Sequence, residues 1–247
     1  MELKGKKIVF LGDSITEGCG VSDKKNIYWQ RIGAMTGAEV YGYGIGGTRI
    51  ALQQIPTPEP NRHKDQHFAS RVDSMIPDAD IVVVFGGTND FGDGDAAFGE
   101  MTDRREDTFC GAYHILMEKL ITRYPDAKIV VMTPLHRMSE DETDYNELGV
   151  RRMGPLSKYV DAIKEIAGFY GVAVLDTFRV SGMQPRFEPL REKYMPDGLH
   201  PNDAGHRLLA QALLGVLETL YEESGYENIR QVVGSGSGIT AVWLRAG

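Results

Sequence analysis

Four short, uninterrupted apolar runs constrain the fold of this chain more than any other feature of its sequence. They are rich in valine and isoleucine, and they occupy residues 7–11, 80–85, 128–132 and 172–175. Runs that are continuous rather than alternating are typical of parallel strands that are buried on both faces. A weaker run at residues 38–41 predicts a fifth strand.

Helical patterns separate these strands. Apolar residues recur at helical spacing in five segments, which are residues 27–35, 68–75, 108–124, 156–170 and 202–221. Strands that alternate with helices predict right-handed crossovers and an open parallel sheet with helices on both faces. In such sheets a functional site forms beyond the carboxyl ends of the strands. Three long connections, which such domains often use for function, follow strands at residues 46–66, 86–107 and 133–155.

Length and charge limit the number of domains and the classes of partner. A chain of 247 residues, of which 42% are hydrophobic and 25% charged, fits one α/β domain. We expect this domain to span residues 1–224 and to be followed by an extension at 225–247. The extension contains a Gly/Ser-rich stretch that is typical of a linker, and its role is unknown. A net charge of −8 argues against nucleic acid and anionic membranes as partners.

Targeting and metal-binding patterns are lacking in the sequence. It has no apolar segment that ends in a cleavage site, and no stretch approaches the roughly 18 apolar residues of a membrane span, so we expect a cytoplasmic protein. Cys19 and Cys110 form neither a disulfide framework nor a metal-ligand spacing. His63 and His67 are four residues apart, but they lie in a proline-rich loop. We therefore expect no metal and no organic cofactor.

Four polar blocks stand at the ends of strands or just before a helix. They are Gly-Asp-Ser at 12–14, Gly-Ile-Gly-Gly at 44–47, Gly-Gly-Thr-Asn-Asp at 86–90 and Asp-Gly-Leu-His-Pro at 197–201. Each block alone is consistent with an ordinary turn. Because the carboxyl ends of parallel strands share one edge of the sheet, we expect the blocks to meet there.

Together the blocks supply the groups that an acyl transfer needs. Ser14 is a candidate nucleophile, His200 a candidate base, and Asp197 can orient the imidazole. The amide of Asn89 and the backbone N–H groups of the glycine block are candidate donors for an oxyanion hole.

The blocks resemble those of the SGNH hydrolases, or GDSL-type esterases and lipases, which are named after Ser, Gly, Asn and His in four separate blocks. The matching residues are Ser14, Gly47, Asn89 and His200, with Asp197 three residues before the histidine. The resemblance covers residues 12–200. It implies a flavodoxin-like, three-layer α/β/α sandwich with a five-stranded parallel sheet.

The resemblance also implies roles for these residues. Ser14, Asp197 and His200 would be catalytic, and Ser14, Gly47 and Asn89 would form the oxyanion hole, with Gly46 as the alternative to Gly47. One position departs from the family pattern, because the asparagine that is common at the site of Gly42 is missing. We expect this change to alter the support of the loop rather than to remove a donor.

Residues near the blocks are further candidates for substrate contact. His136 and Arg137 follow the run at 128–132 and could line the pocket, as could Arg49. Trp29 lies on a predicted helix, where packing against the core is its expected role.

The expected function is a serine esterase that acts on a small-molecule substrate. The polar loops favour short-chain acyl esters, acetyl above all, of a small polar or carbohydrate-like compound, cleaved through an acyl-enzyme on Ser14. An acyl thioesterase or a lysophospholipase on the same site stays open. So does a non-catalytic α/β ligand-binding module, although such a protein would not need the Asp197 and His200 pair. The oligomeric state is not defined by the sequence.

Overall fold

Five parallel strands form one sheet in the computed structural model, which describes residues 3–145, 149 and 154–221. The strands are β1 (Lys7–Gly12), β2 (Glu39–Gly44), β3 (Ile81–Phe85), β4 (Lys128–Met132) and β5 (Ala173–Leu175). They lie in the order β2-β1-β3-β4-β5, and every neighbouring pair is parallel. The chain moves outward from β1 to β2 and then returns to place β3 on the other side of β1. The loops after β1 and β3 therefore diverge and open a crevice at the carboxyl ends of the strands.

Helices cover both faces of the sheet. Within the described ranges they are α1 (Ser14–Glu17), α2 (Tyr28–Thr36), α3 (Phe68–Arg71), α4 (Thr88–Asp93), α5 (Phe109–Arg123), α6 (Leu156–Phe169), α7 (Thr177–Val180), α8 (Glu188–Tyr194) and α9 (Asp203–Tyr221). Three short 3₁₀ helices accompany them at Lys24–Asn26, Arg62–Asp65 and Val72–Ser74.

Alternate residues of the strands enter two separate cores. Val82 packs on one face in a cluster that includes side chains of α5 and α6. Val83 packs on the other face with side chains of α2 and α9. Both valines are fully buried, and burial of an aliphatic side chain of this size contributes about 1.5–3 kcal/mol to stability. This arrangement confirms the predicted three-layer fold.

The weak run at residues 38–41 does form the fifth strand, but β2 is longer than predicted. It continues to Gly44, because its backbone stays paired with β1 up to the Gly12 and Gly44 pair. β2 lies at the edge of the sheet and is only partly covered, which explains its weak apolar pattern.

Other boundaries and connections also differ from the sequence expectation. The helix predicted at residues 68–75 is split into α3 and the 3₁₀ turn Val72–Ser74. The long connections are partly ordered into helices, since α4 lies within residues 86–107. The predicted extension at 225–247 lies outside the described residues. Among the helices that the structure does describe, none has the length and apolar character needed to cross a membrane.

Candidate active site

Ser14 begins α1 two residues after β1 ends, at the crevice between the diverging loops. Asp13 caps this short helix, because its Oδ1 accepts a hydrogen bond from the Ile15 N–H at 3.0 Å. Asp13 is buried beneath the turn, and this burial raises the pKa of its carboxyl to about 6. The Ser14 side chain faces the crevice and reaches the segment that precedes α9.

His200 and Asp197 lie on that segment. Ser14 Oγ is 3.0 Å from His200 Nε2, and His200 Nδ1 is 2.6 Å from Asp197 Oδ2. The other carboxylate oxygen, Asp197 Oδ1, accepts from the backbone N–H of Leu199 at 2.9 Å and of His200 at 2.7 Å. Burial by itself would raise the pKa of Asp197, but these hydrogen bonds outweigh it, and the pKa lies below its ordinary value.

The ionised Asp197 selects one form of the imidazole. Because a carboxylate only accepts hydrogen bonds, Nδ1 of His200 must carry the proton that it donates to Asp197. In the neutral ring, Nε2 then has a free lone pair that points at the Ser14 hydroxyl. This is the tautomer that can take a proton from the serine.

Two contacts hold the His200 segment against the rest of the site. Gly20 has φ of +91°, and a Cβ at this position would lie 2.4 Å from the carbonyl oxygen of Pro201. The chain after α1 therefore needs glycine to approach the segment this closely. From the β4 side, the backbone N–H of Met138 donates to the carbonyl of Gly198 at 3.0 Å. These two contacts hold the His200 segment in place from both sides, and they thereby fix the distance between Ser14 and His200.

Hydrogen-bond donors of three loops surround Ser14. Asn89 lies in the first turn of α4, and its Nδ2 donates to the carbonyl of Thr48 at 3.0 Å, which fixes the orientation of the amide. In the described part of the chain, the backbone N–H groups of Ser14, Gly46 and Gly47 have no acceptor. The backbone N–H of Gly46 and that of Gly47 are therefore both able to donate to an oxyanion.

The cleft that contains these groups has a volume of about 340 Å³. It is lined by Ser14, Cys19, Gly46, Gly47, His63, Lys64, Asn89, Gly92, Asp93, Arg137, Leu199 and His200. The structure thus brings four of the five predicted site residues, and the alternative Gly46, to one cleft. The fifth, Asp197, stands behind His200.

A buried carboxylate ties the third block to the segment that follows the second block. Asp90 accepts hydrogen bonds from the backbone N–H groups of Ile50 at 3.0 Å and Ala51 at 2.9 Å. Its burial raises the pKa of the carboxyl to about 6. Because Asp90 follows Asn89 directly, these bonds hold the amide of Asn89 in register with the loop of Gly47.

The unusual Gly42 is explained by Trp29. A Cβ at position 42 would lie 2.3 Å from an atom of the indole ring, so the ring occupies the space that an asparagine side chain would need. Trp29 stacks near Phe10, with ring centroids 6.1 Å apart, and its Nε1 donates to the carbonyl of Thr16 at 2.8 Å. Trp29 packs as expected and supports the loop of α1 instead of lining the cleft.

Two cationic side chains, Arg137 and Lys64, line the cleft, although the sequence did not predict where either of them lies. Arg137 lines the cleft, whereas its neighbour His136 turns away, with Nδ1 2.7 Å from Glu140 Oε2. Lys64 reaches the cleft because its alkyl chain lies over Gly47. Nothing in the sequence near Lys64 signals this contact. Arg49 does not line the cleft, and its Nη2 donates to the carbonyl of Asp93 at 3.0 Å.

Comparison with solved structures identifies relatives over most of the chain. One crystal structure is 33% identical, with coverage of 89% of this chain and 99% of its own and a TM-score of 0.74. A protein from Lactobacillus plantarum is 30% identical, with coverage of 87% and 98% and a TM-score of 0.73. An acetyl xylan esterase, AlAXEase, is 23% identical, with coverage of 85% and 98% and a TM-score of 0.57, a likeness that shows the fold alone.

A comparison with curated proteins gives no match. The sequence profile of the GDSL-like lipase/acylhydrolase family, in contrast, matches residues 10–208. This span includes all four polar blocks, the last three residues of β1 and the other four strands. The chain therefore belongs to the GDSL-like lipase/acylhydrolase family.

Proposed function

We propose that this protein is a serine esterase that removes short acyl groups, acetyl above all, from a small polar or carbohydrate-like substrate. The proposal rests on one observation above the others. Ser14, His200 and Asp197 form an unbroken series of hydrogen bonds, with distances of 3.0 and 2.6 Å, at a cleft that is also lined by potential oxyanion donors. A non-catalytic binding module has no need of such a series.

In the first half of the reaction, Ser14 Oγ attacks the ester carbonyl carbon while His200 Nε2 takes its proton. Asp197 stabilises the imidazolium that forms. The carbonyl oxygen becomes negatively charged and accepts hydrogen bonds from the N–H groups of Ser14 and Gly47 and from the amide of Asn89. The bond to the alcohol then breaks, the alcohol oxygen takes the proton from His200, and the acyl group stays on Ser14.

Water completes the cycle. His200 accepts a proton from the water, whose oxygen attacks the acyl carbon of the acyl-enzyme. The same donors stabilise the second oxyanion. The bond to Ser14 Oγ then breaks, the serine regains its proton from His200, and the carboxylic acid leaves. The transfers between Ser14 and His200 use two atoms, Ser14 Oγ and His200 Nε2, that already lie 3.0 Å apart.

The dimensions of the cleft favour a short acyl group. A volume of about 340 Å³ lies near the lower end of the roughly 300–1,000 Å³ that is common for ligand pockets. Leu199 contributes the only large aliphatic side chain among the described lining residues. A long acyl chain would therefore find few aliphatic side chains to pack against.

We expect a series of p-nitrophenyl esters to show the highest kcat/KM for acetate and butyrate. The values should fall steadily for medium and long chains, because each added methylene lacks an apolar contact. The rates are measured below the micelle concentration of each ester, and the Ser14→Ala variant gives the background. A maximum at long chains, or efficient cleavage of lysophospholipid or acyl thioester, would contradict the proposed specificity.

We expect Asn89→Ala to lower kcat by roughly 10²- to 10³-fold with little change in KM, because removal of one oxyanion donor affects the transition state and not the bound ester. The matched variant Asn89→Asp keeps the shape of the side chain but replaces the donor with an acceptor, so it should be at least as impaired. If KM rose and kcat were unchanged, Asn89 would bind the substrate instead of stabilising charge.

A further inference from the structure

The cleft beside Ser14 carries two cations that the proposed chemistry does not use. Arg137 comes from the loop after β4, and Lys64 comes from the 3₁₀ helix Arg62–Asp65 in the loop after β2. They approach the site from opposite sides, since β2 and β4 flank β1 and β3 in the sheet. Both cations therefore line the cleft that contains the proposed nucleophile.

The guanidinium of Arg137 is held in a defined position. Its Nη1 donates to the carbonyl of Thr88 at 3.1 Å and lies 3.3 Å from the Thr88 hydroxyl. Its Cζ lies 5.6 Å from the centroid of the Phe91 ring. A Cβ on Gly92 would lie 2.5 Å from Nη1, so the group fits closely against α4. A guanidinium fixed in this way can present paired N–H donors to a carboxylate or phosphate.

A buried carboxylate orders the loop that carries Arg137. Glu140 Oε2 accepts from the backbone N–H of Arg137 at 3.0 Å and contacts His136 Nδ1 at 2.7 Å, while Oε1 accepts from Gln184 Nε2 at 3.1 Å. Met138 in the same loop donates to the carbonyl of Gly198. Arg137 is therefore fixed relative to the segment that carries His200.

Lys64 is the second cation that lines the cleft. The alkyl chain of Lys64 lies over Gly47, and no acidic side chain among the described residues pairs with its ammonium. Asp93 is the carboxylate of the cleft lining, and its Oδ2 lies 3.4 Å from Nη2 of Arg49, whose side chain is buried. Asp93 therefore pairs with a cation that does not itself line the cleft.

We propose that Arg137, assisted by Lys64, binds a negatively charged group on the alcohol part of the ester substrate. This inference rests on the proposed function and specifies its substrate class further. The short acyl group lies at Ser14, and the polar scaffold that carries it bears a carboxylate or a phosphate near the ester bond. An acylated sugar acid and an acylated sugar phosphate both have this chemistry.

The test compares aryl acetates that differ in charge. The anionic esters are para-acetoxybenzoate, with a carboxylate, and para-acetoxyphenyl phosphate, and the neutral reference is methyl para-acetoxybenzoate. Each kcat/KM is divided by the rate of alkaline hydrolysis, which removes differences in intrinsic reactivity. We expect the intact protein to prefer at least one anionic ester over the neutral one. The preferred anionic ester indicates whether carboxylate or phosphate is the natural group.

Substitutions test whether the cations of the cleft cause the preference for anionic esters. Arg137→Ala should reduce the ratio of anionic to neutral kcat/KM by roughly 10- to 100-fold, as expected for loss of a charged hydrogen-bonding partner. Arg137→Lys should retain part of the preference, and Lys64→Ala should reduce it less. Arg207→Ala removes an exposed cation of α9 that lies outside the cleft, and it should leave the ratio unchanged.

The outcomes separate the two proposals. If all the esters are cleaved in a Ser14-dependent reaction but without preference for negative charge, the charge recognition is wrong and the esterase proposal stands. A preference that survives in both Arg137→Ala and Lys64→Ala would likewise overturn the role of these cations. Lack of cleavage of every ester, together with lack of serine labelling by a fluorophosphonate, would overturn the esterase proposal itself.

Discussion

Replacement of Ser14 with alanine is expected to lower kcat by roughly a millionfold, because the substitution removes the attacking atom. The loss of one hydroxyl should leave the fold intact. Ser14 is 7% exposed, and the hydrogen bond of its side chain is made to His200, not to a group that supports the core. The remaining Cβ keeps the packing of the turn between β1 and α1.

The experiment combines turnover of p-nitrophenyl acetate with covalent labelling. A fluorophosphonate probe should modify the intact protein once, and mass spectrometry of peptides should locate the adduct on Ser14. Ser70→Ala is the matched control, because Ser70 is exposed on α3 and is absent from the cleft lining. It should keep full activity and labelling. Adducts on another serine, or an active Ser14→Ala protein with an unchanged melting temperature, would refute the mechanism.

Removal of the His200 imidazole should be almost as damaging. His200→Ala is expected to lower kcat by roughly a millionfold, since no other group then accepts the serine proton. Asp197→Asn should lower it by roughly 10⁴-fold. An amide at position 197 would offer N–H to His200 Nδ1 in place of an accepting oxygen. The ring would then carry its proton on Nε2, facing Ser14, where it cannot act as a base.

Chemical rescue distinguishes loss of the base from loss of structure. Free imidazole should partly restore turnover by His200→Ala, in proportion to its concentration, because the substitution leaves a space next to Ser14 Oγ. It should not restore Ser14→Ala or Asp197→Asn to the same degree. Circular dichroism and the melting temperature report on folding in each case. Activity of His200→Ala within tenfold of the intact protein, without imidazole, would show that a different group is the base.

The sequence predicts the sheet well because buried parallel strands have a simple signature. Four of the strands are continuous apolar runs, and helices cover both faces of the sheet that they form. The same regularity predicts that the polar blocks converge, since the carboxyl ends of parallel strands meet at one edge. β2 is harder to delimit, because an edge strand is half exposed and its glycines continue the pairing without an apolar pattern.

Features that depend on distant contacts could not be predicted in this way. α4 is hidden in a glycine-rich run, and its position depends on the hydrogen bonds of Asp90 to the backbone of Ile50 and Ala51. Lys64 enters the cleft because its alkyl chain packs over Gly47. Arg137 could be named as a candidate but not placed. Its position depends on the buried Glu140 and on Thr88.

The pairing of Gly42 with Trp29 shows how a departure from a family pattern can be compensated. The sequence alone indicates that the support of the loop has changed. The structure shows the physical reason, since the indole takes the space above a glycine and gives its N–H to the backbone of α1. Neither residue is unusual by itself, and only their contact in three dimensions reveals the relation.

The cleft residues lie at different distances along the chain from the ends of their strands. This difference determines which parts of the cleft could be altered to change the substrate preference. Ser14 and Gly47 lie two and three residues beyond β1 and β2, where the rigid sheet fixes their backbone. Lys64 and Arg137 stand further along their loops, and Lys64 is 20 residues beyond the end of β2. These loops can therefore be exchanged or redesigned one at a time. Such grafts would change the alcohol that is accepted while the groups proposed to break the ester bond stay on an unaltered frame.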